Sequence, residues 1–393
     1  MRKLLKGNEA VAYGAKLCRP QVISAYPITP QTVMVEKLAD FVADGELDCE
    51  YIKIESEHSA LSSCVGASGA GVRVFTATSS QGLALMHEIM WVASGMRLPI
   101  VMGVANRALS APINIWCDTS DVMAERDSGW IQLYAADNQE ALDSVIMLFK
   151  VSEDKRVLLP SLVTIDGFVL SHTYEGVDIP DQDTVDKFLP PYKPEHAFLD
   201  PSKPMSLGTL GTPATYMESR KQVEDAMRAS YDVVKEVMAD FAKHFGRKYE
   251  VVEKYMCDDA EIVIIALGSS SGTGKVVVNE LRKKGKKVGL ARIALYRPFP
   301  VKEIAEIAKN AKVLAIVERA QSYGHTGPVY ADVAAALAEN GIKAILLDFI
   351  AGLGGRDIVK THFEKVVEES EKALKGGKAE KPIQWLGLKE ELL

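Results

Sequence analysis

The sequence predicts an α/β protein built on two largely parallel sheets, and three observations carry that reading. Over residues 22–165, short apolar runs of strand length alternate with stretches of helical periodicity. The same alternation restarts near residue 258 and continues to about 360. Between the two blocks lie a proline-rich stretch and one long amphipathic pattern that belong to neither rhythm. Strands that alternate with helices pair in parallel, because each crossover helix returns the chain to the same end of the sheet. Size and composition agree: 393 residues, 47% hydrophobic and 25% charged, hold enough apolar side chain for two cores.

In the first block the strands are expected at 22–25, 51–54, 72–77, 100–105 and 158–165, with helices from Pro30, from Glu57, over 82–94 and over 138–151, the last capped by Asp137. Ligands of such folds gather where the strands end. Three strand ends carry chemistry. After the first, "AYPITPQ" places Thr29 two residues after one proline and directly before another, and each proline restrains the residue ahead of it. Thr29 reads as the N-cap and Pro30 as the first position of a helix burying Met34, Leu38, Phe41 and Val42. A capping hydroxyl still has a proton to donate elsewhere.

After the second strand, Ser56 caps a helix from Glu57 that is bare of large side chains: Ala60, Ser62, Ser63, Gly66, Ala67, Gly69 and Ala70 suit close packing against another helix at an interface. Glu57 stands at the positive end of that helix, where it and Glu55 also read simply as first-turn acids. His58 and His87 read as surface or packing residues, with no second ligand four positions on. After the fourth strand, Arg107 is placed either to fork onto a carboxylate or to form a surface ion pair. The loop beyond it, with Asp118 and Asp121, has the mixed character of a cover over a pocket.

The 175–213 stretch holds seven prolines and reads as an ordered excursion over the surface, followed by an amphipathic helix over 216–246. This makes residues 1–257 one domain and 258–360 a second, with 361–393 a helix and an arm suited to a partner's surface. "GSSSGTGKV" (268–276) opens a helix after a strand, yet Ser269 and Val276 occupy places where a phosphate loop needs glycine and Ser or Thr, so a stand-alone nucleotide-dependent ligase is disfavoured. "GLGGRD" (352–357) reads as a turn with Arg356 and Asp357 in the first turns of the final helix.

A net charge of −7 argues against nucleic acid as a partner, and no apolar run approaches the ~20 residues that span a bilayer. The first residues lack the apolar core of a signal peptide, so the expected location is the cytoplasm, away from membranes. Cys18, Cys49, Cys64, Cys117 and Cys257 are scattered and suggest neither a disulfide framework nor an iron–sulfur or zinc site.

Taken together, "YPITPQ", "IESEHSA", "FTATSSQGLALMHE", "NRALSAPINI", "GWIQLYA", "YRPFP" and "GLGGRD" resemble the α subunit of multi-subunit pyruvate:ferredoxin oxidoreductases, within the thiamine diphosphate superfamily. The resemblance implies a pyrimidine-binding domain followed by a transketolase-C-terminal-like domain. It implies a β subunit that binds the diphosphate and magnesium and carries a [4Fe-4S] cluster, γ and δ subunits that add coenzyme A contacts and further clusters, and ferredoxin as electron acceptor. This chain would be inactive alone. The implied reaction is the reversible, coenzyme A-dependent oxidative decarboxylation of a 2-oxo acid, pyruvate first and a branched-chain acid such as 2-oxoisovalerate as the alternative. By the same resemblance Glu57 is the catalytic glutamate that hydrogen-bonds the aminopyrimidine ring of thiamine diphosphate and favours its imino form. Thr29 and Arg107 match the residues that grip the substrate carboxylate. A non-catalytic assembly subunit that keeps the fold is the competing reading from another class.

Overall fold

The computed structural model describes residues 1–195 and 197–393. The amino-terminal elements are β1 (Arg2–Lys6), α1 (Gly7–Leu17), β2 (Val22–Ala25), α2 (Thr32–Ala43), β3 (Glu50–Lys53), α3 (Glu57–Gly69), β4 (Val74–Thr78), α4 (Ser80–Gly95) and β5 (Val101–Asn106). They are followed by α5 (Ser120–Ala124), β6 (Ile131–Tyr134), α6 (Asn138–Ser152), β7 (Ser161–Asp166), β8 (Tyr174–Asp178), α7 (Gln182–Phe188) and the thirty-residue α8 (Tyr216–Phe245). The carboxyl-terminal part comprises β9 (Val252–Tyr255), β10 (Ile262–Ala266), α9 (Ser270–Lys283), β11 (Val288–Ile293), β12 (Leu295–Arg297) and α10 (Val301–Asn310). It ends with β13 (Val313–Glu318), α11 (Pro328–Glu339), β14 (Ile345–Ile350), α12 (Lys360–Gly376) and β15 (Ile383–Trp385).

The apolar runs form the strands because both faces of each sheet are covered. In the order β12-β6-β7-β5-β4-β2-β3 the first sheet is parallel except at its β12 edge, and β4 to β7 are buried at every position. The second sheet, β15-β14-β13-β10-β11-β9, is parallel except at its β9 edge. Helices α1, α2, α6 and α8 bury one face of the first sheet around Phe41, Phe149 and Phe241. A single apolar cluster then joins α3 and α4 to α10 and α11 across the gap between the sheets, while α9 and α12 cover the far side of the second. The two sheets exchange strands across residue 257: β9 precedes it yet edges the second sheet, and β12 follows it yet edges the first.

Several expectations are corrected. Helix α2 starts at Thr32, two residues later than expected, and Thr29 does not cap it. Residues 28–31 instead close a turn, with Gln31 N–H donating to Ile28 O at 2.8 Å, while Pro30 O is taken by Asn8 Nδ2 at 2.7 Å. The expected buried stripe holds at Met34, Leu38 and Phe41. The surface excursion contains β8, which pairs antiparallel with β1, and α7. The carboxyl-terminal arm lies on the chain itself, since β15 extends the second sheet beside β14. Arg356 and Asp357 precede α12, which begins at Lys360, and the glycines ahead of them pack back onto the first domain.

Candidate active site at the carboxyl edge of the first sheet

The chain ends of β2, β4 and β5 lie side by side, as parallel pairing requires. From β3 the chain turns directly into α3, and Ser56 caps that helix by accepting from Ser59 N at 3.3 Å. The cap places Glu57 at the first helical position, where it is only 7% exposed. Its carboxylate lies against Gly82 in the first turn of α4: a Cβ on Gly82 would stand 2.6 Å from Glu57 Oε1 and 2.5 Å from Thr78 Oγ1. Only glycine, with no side chain there, lets Glu57 and Thr78 approach the α4 backbone so closely. In the residues leading into Gly82, Thr78 Oγ1, Ser79 Oγ and Gln81 Nε2 are buried and have no hydrogen-bond partner among the described residues. Buried polar atoms are almost always satisfied, so three orphans within four residues of one strand-to-helix turn make it a candidate place for a polar ligand.

Arg107 follows β5 and is also 7% exposed. Its Nε donates to Asn114 O at 2.9 Å and its Nη1 to Thr29 O at 2.9 Å. Two corners of the guanidinium are thus used by the protein, leaving Nη2 without a partner among the described residues. Burial pushes its pKa down, opposed by the Asp121 carboxylate, but a guanidinium stays charged throughout the working range. The structure therefore joins Thr29 to Arg107, through the threonine carbonyl and not its hydroxyl, and leaves Thr29 itself exposed.

Among the described residues Glu57 makes no hydrogen bond or ion pair with that pair, and the two are linked through the protein. Ser80, two residues before Gly82 in α4, donates its hydroxyl to Ala108 O at 2.6 Å and its N–H to Asp121 Oδ2 at 3.0 Å, and the same oxygen accepts from Arg107 N at 3.0 Å. The sequence marked Asp121 only as one polar residue of a loop. Nothing in residue type announces that a loop aspartate will be 2% exposed.

The loop that carries Arg107 is braced by the second sheet. Thr119 N donates to Arg319 O at 2.9 Å, Asn114 Nδ2 donates to Gly354 O at 3.1 Å, and Gly354 N donates to Asp118 Oδ2 at 3.2 Å. Behind the loop, Arg319 Nη1 lies 3.2 Å from Asp166 Oδ2 and 3.3 Å from Cys117 Sγ, tying β13 to β7. Beside it a cavity of about 660 Å³ opens between the 108–126 and 320–328 segments, with Arg126, Gln321 and Tyr323 among its walls.

Residues 13–239 match the family model described as pyruvate flavodoxin/ferredoxin oxidoreductase, thiamine diphosphate-binding, and residues 260–363 match pyruvate:ferredoxin oxidoreductase core domain II. Pyruvate synthase subunit PorA of Pyrococcus furiosus is 55% identical over 393 residues, covering 100% of this chain and 99% of the relative. Ketoisovalerate oxidoreductase subunit VorA of Pyrococcus abyssi is 46% identical over 390 residues, covering 99% and 98%. A solved 2-oxoglutarate:ferredoxin oxidoreductase from Magnetococcus marinus shares the fold with a TM-score of 0.73 at 21% identity, over 94% of this chain. The chain spans 65% of that protein's length. Among the described residues no helix is long and apolar enough to cross a membrane.

Proposed function

The chain belongs to the pyruvate:ferredoxin oxidoreductase family, and on that premise we propose that it is the α subunit of a pyruvate synthase, contributing half of a thiamine diphosphate site to the coenzyme A-dependent, reversible oxidation of pyruvate to acetyl-coenzyme A and carbon dioxide. One observation supports the site assignment: a buried glutamate packs against Gly82 in a turn that also holds unpartnered buried polar atoms, within the domain that matches a thiamine diphosphate-binding family model. The donor set fits the cofactor's aminopyrimidine, a flat ring with both donors and acceptors, held by Glu57 with Thr78, Ser79 and Gln81 beside it. When bound, thiamine diphosphate supplies the nucleophilic carbon and the electron sink for decarboxylation.

Glu57 shares a proton with a ring nitrogen of that group, so that the exocyclic amine can act as a base. Arg107, through Nη2, and Thr29, through its hydroxyl, bind the carboxylate of the 2-oxo acid. Holding that group equally well before and during bond cleavage lowers KM without raising kcat, so the contribution of the pair to rate is orientation of the breaking bond. The β subunit, in this reading, closes the other side of the site against the small-residue face of α3. It brings the magnesium diphosphate site and a [4Fe-4S] cluster, with γ and δ subunits passing electrons to ferredoxin.

Pyruvate is assigned over a branched-chain acid because identity to the pyruvate synthase subunit, 55%, exceeds that to the ketoisovalerate subunit, 46%. The test is the purified native complex assayed for coenzyme A-dependent ferredoxin reduction with pyruvate, 2-oxobutyrate and 2-oxoisovalerate. The expected result is the highest kcat/KM for pyruvate. A preference for 2-oxoisovalerate would transfer the assignment to the branched-chain enzyme, and full activity of the other subunits without this chain would reduce it to an assembly role.

A further inference from the structure

Asp121, in the first turn of α5, accepts four hydrogen bonds from three segments. Oδ1 accepts from Asn106 Nδ2 at 2.9 Å and from Val122 N at 2.8 Å; Oδ2 accepts from Ser80 N and from Arg107 N, both at 3.0 Å. Asn106 and Arg107 stand at the end of β5, and Ser80 opens α4. As placed, every one of these four groups donates. A carboxylate satisfies all of them, whereas a carboxylic acid turns a proton towards one and a carboxamide turns an NH2 towards two. The backbone bends to complete the arrangement: Ser80 holds φ at +48°, in the left-handed region that side-chain-bearing residues seldom adopt. With that φ its N–H reaches Asp121 while its hydroxyl reaches Ala108 O. The first turn of α4, the Arg107–Ala108 turn and α5 therefore meet at one carboxylate, and from that knot the Arg107 side chain sets out towards Thr29.

We propose that Asp121 is a positioning residue whose ionised carboxylate aims Arg107 at the substrate, so that the grip on the 2-oxo acid loosens when Asp121 takes up a proton. The proposal rests on the assignment of Arg107 to the substrate carboxylate. Burial pushes the Asp121 carboxyl up to about 7, against the pull of its donors. The charged and titratable groups facing it are Asp118 on its own loop, the Arg107 guanidinium, and the Tyr134 hydroxyl of β6. Asp118 pushes the Asp121 carboxyl further up. Arg107 stays charged, and burial holds Tyr134 neutral by pushing its pKa far up. Asp121 is thus ionised and the knot whole above pH 7; below it one donor loses its acceptor, and KM rises as pH falls. Pyruvate stays ionised over the same range.

The test measures KM and kcat for pyruvate from about pH 6 to about pH 8 with the complex assembled around the wild-type chain, Asp121→Asn or Arg107→Ala, coenzyme A saturating. The wild-type KM is expected to rise about tenfold on acidification, the size of one buried donor left unpaired, with a smaller change in kcat. Asp121→Asn is expected to show that raised KM at every pH. A variant with wild-type KM and the wild-type acid rise overturns the proposal. If Arg107→Ala raises KM and Asp121→Asn does not, the positioning role alone fails; if neither does, the assignment of Arg107 fails with it. Should Asp121→Asn not assemble, the wild-type profile decides, and a KM flat across the range overturns the proposal.

Discussion

At the carboxyl edge of the second sheet, the amino end of α11 is filled by the chain's own acids. Asp348 Oδ2 accepts from Gly327 N at 2.7 Å, and Glu318 accepts from Val329 N at 2.9 Å and Tyr330 N at 3.0 Å. At the same edge of the first sheet, the turn into α4 leaves Thr78, Ser79 and Gln81 with buried polar atoms unpaired, ahead of the glycine against which Glu57 packs. Both places are strand-to-helix turns in parallel sheets, where positive helix ends and free N–H groups favour an anion or polar ligand. One is closed by aspartate and glutamate and carries structure. The other has Ser80 N–H taken by Asp121 but leaves side-chain atoms of Thr78, Ser79 and Gln81 unpaired, and in the proposed reading it takes a ligand. In the proposed reading the two turns separate into brace and site according to whether buried polar side chains are left unpaired beside the chain's own acids, and the brace in turn holds the Arg107 loop through Arg319 and Gly354.

The sharpest way to break this contrast is Glu57→Gln. Glutamine keeps the shape of the side chain but cannot exchange the proton, and general acid–base catalysis contributes about 10²- to 10⁴-fold. Ferredoxin reduction by the assembled complex is expected to fall by that range, with the melting temperature unchanged and proton exchange at C2 of the bound cofactor stopped. Normal exchange would remove Glu57 from the mechanism.

A matched pair of glycine substitutions sharpens the comparison. The added methyl of Gly82→Ala meets Glu57 at Oε1 and Cγ as well as Thr78 Oγ1, so Glu57 is expected to be displaced. Displacement of about 1 Å costs about 10²-fold in rate. In Gly327→Ala the methyl stands 2.2 Å from the Glu318 carboxyl, which Val329 and Tyr330 hold in place and which cannot move without losing both bonds. The expected outcome is a loss of about 1–3 kcal/mol of stability, read as a lower melting temperature, with kcat retained by the complex that assembles. Equal effects of the two substitutions on kcat would mean that the second turn is also part of the site.

Much of this architecture is legible in the residues. The apolar runs of β2, β5, β10, β11, β13 and β14 announce themselves, because strands largely buried on both faces carry few polar positions to blur the signal. Strand β1, "RKLLK", does not, since it is a charged, mostly uncovered strand paired with a segment about 170 residues away. Nor do the three residues of β12, whose place is set by the first sheet and not by their own sequence. Glu57 is legible as a helix-start acid after Ser56, and only the family motif singles it out from Glu55. Asp121 is invisible because its role depends on the simultaneous approach of Ser80, Asn106 and Arg107, which no local pattern encodes. The neighbourhood of Thr29 and Arg107 is legible only as two separate strand ends, and the atom that joins them, a backbone carbonyl, has no residue type to read.

Thr29 supplies the smallest and most discriminating test. Arg107→Ala removes a charge-assisted contact worth roughly 1.5–3 kcal/mol and should raise the pyruvate KM by about one to two decades. Thr29→Ala removes a neutral hydroxyl and keeps the carbonyl that anchors Arg107 Nη1, so the rise should stay within about tenfold. Loss of an N-cap would cost α2 about 1 kcal/mol, yet Thr29 lies three residues ahead of that helix and makes no capping bond to it. The melting temperature should therefore not move. A raised KM at constant melting temperature places the hydroxyl on the substrate, whereas a lowered melting temperature with unchanged KM would make the stiff "PITP" turn a support for the sheet edge and leave Arg107 alone at the carboxylate.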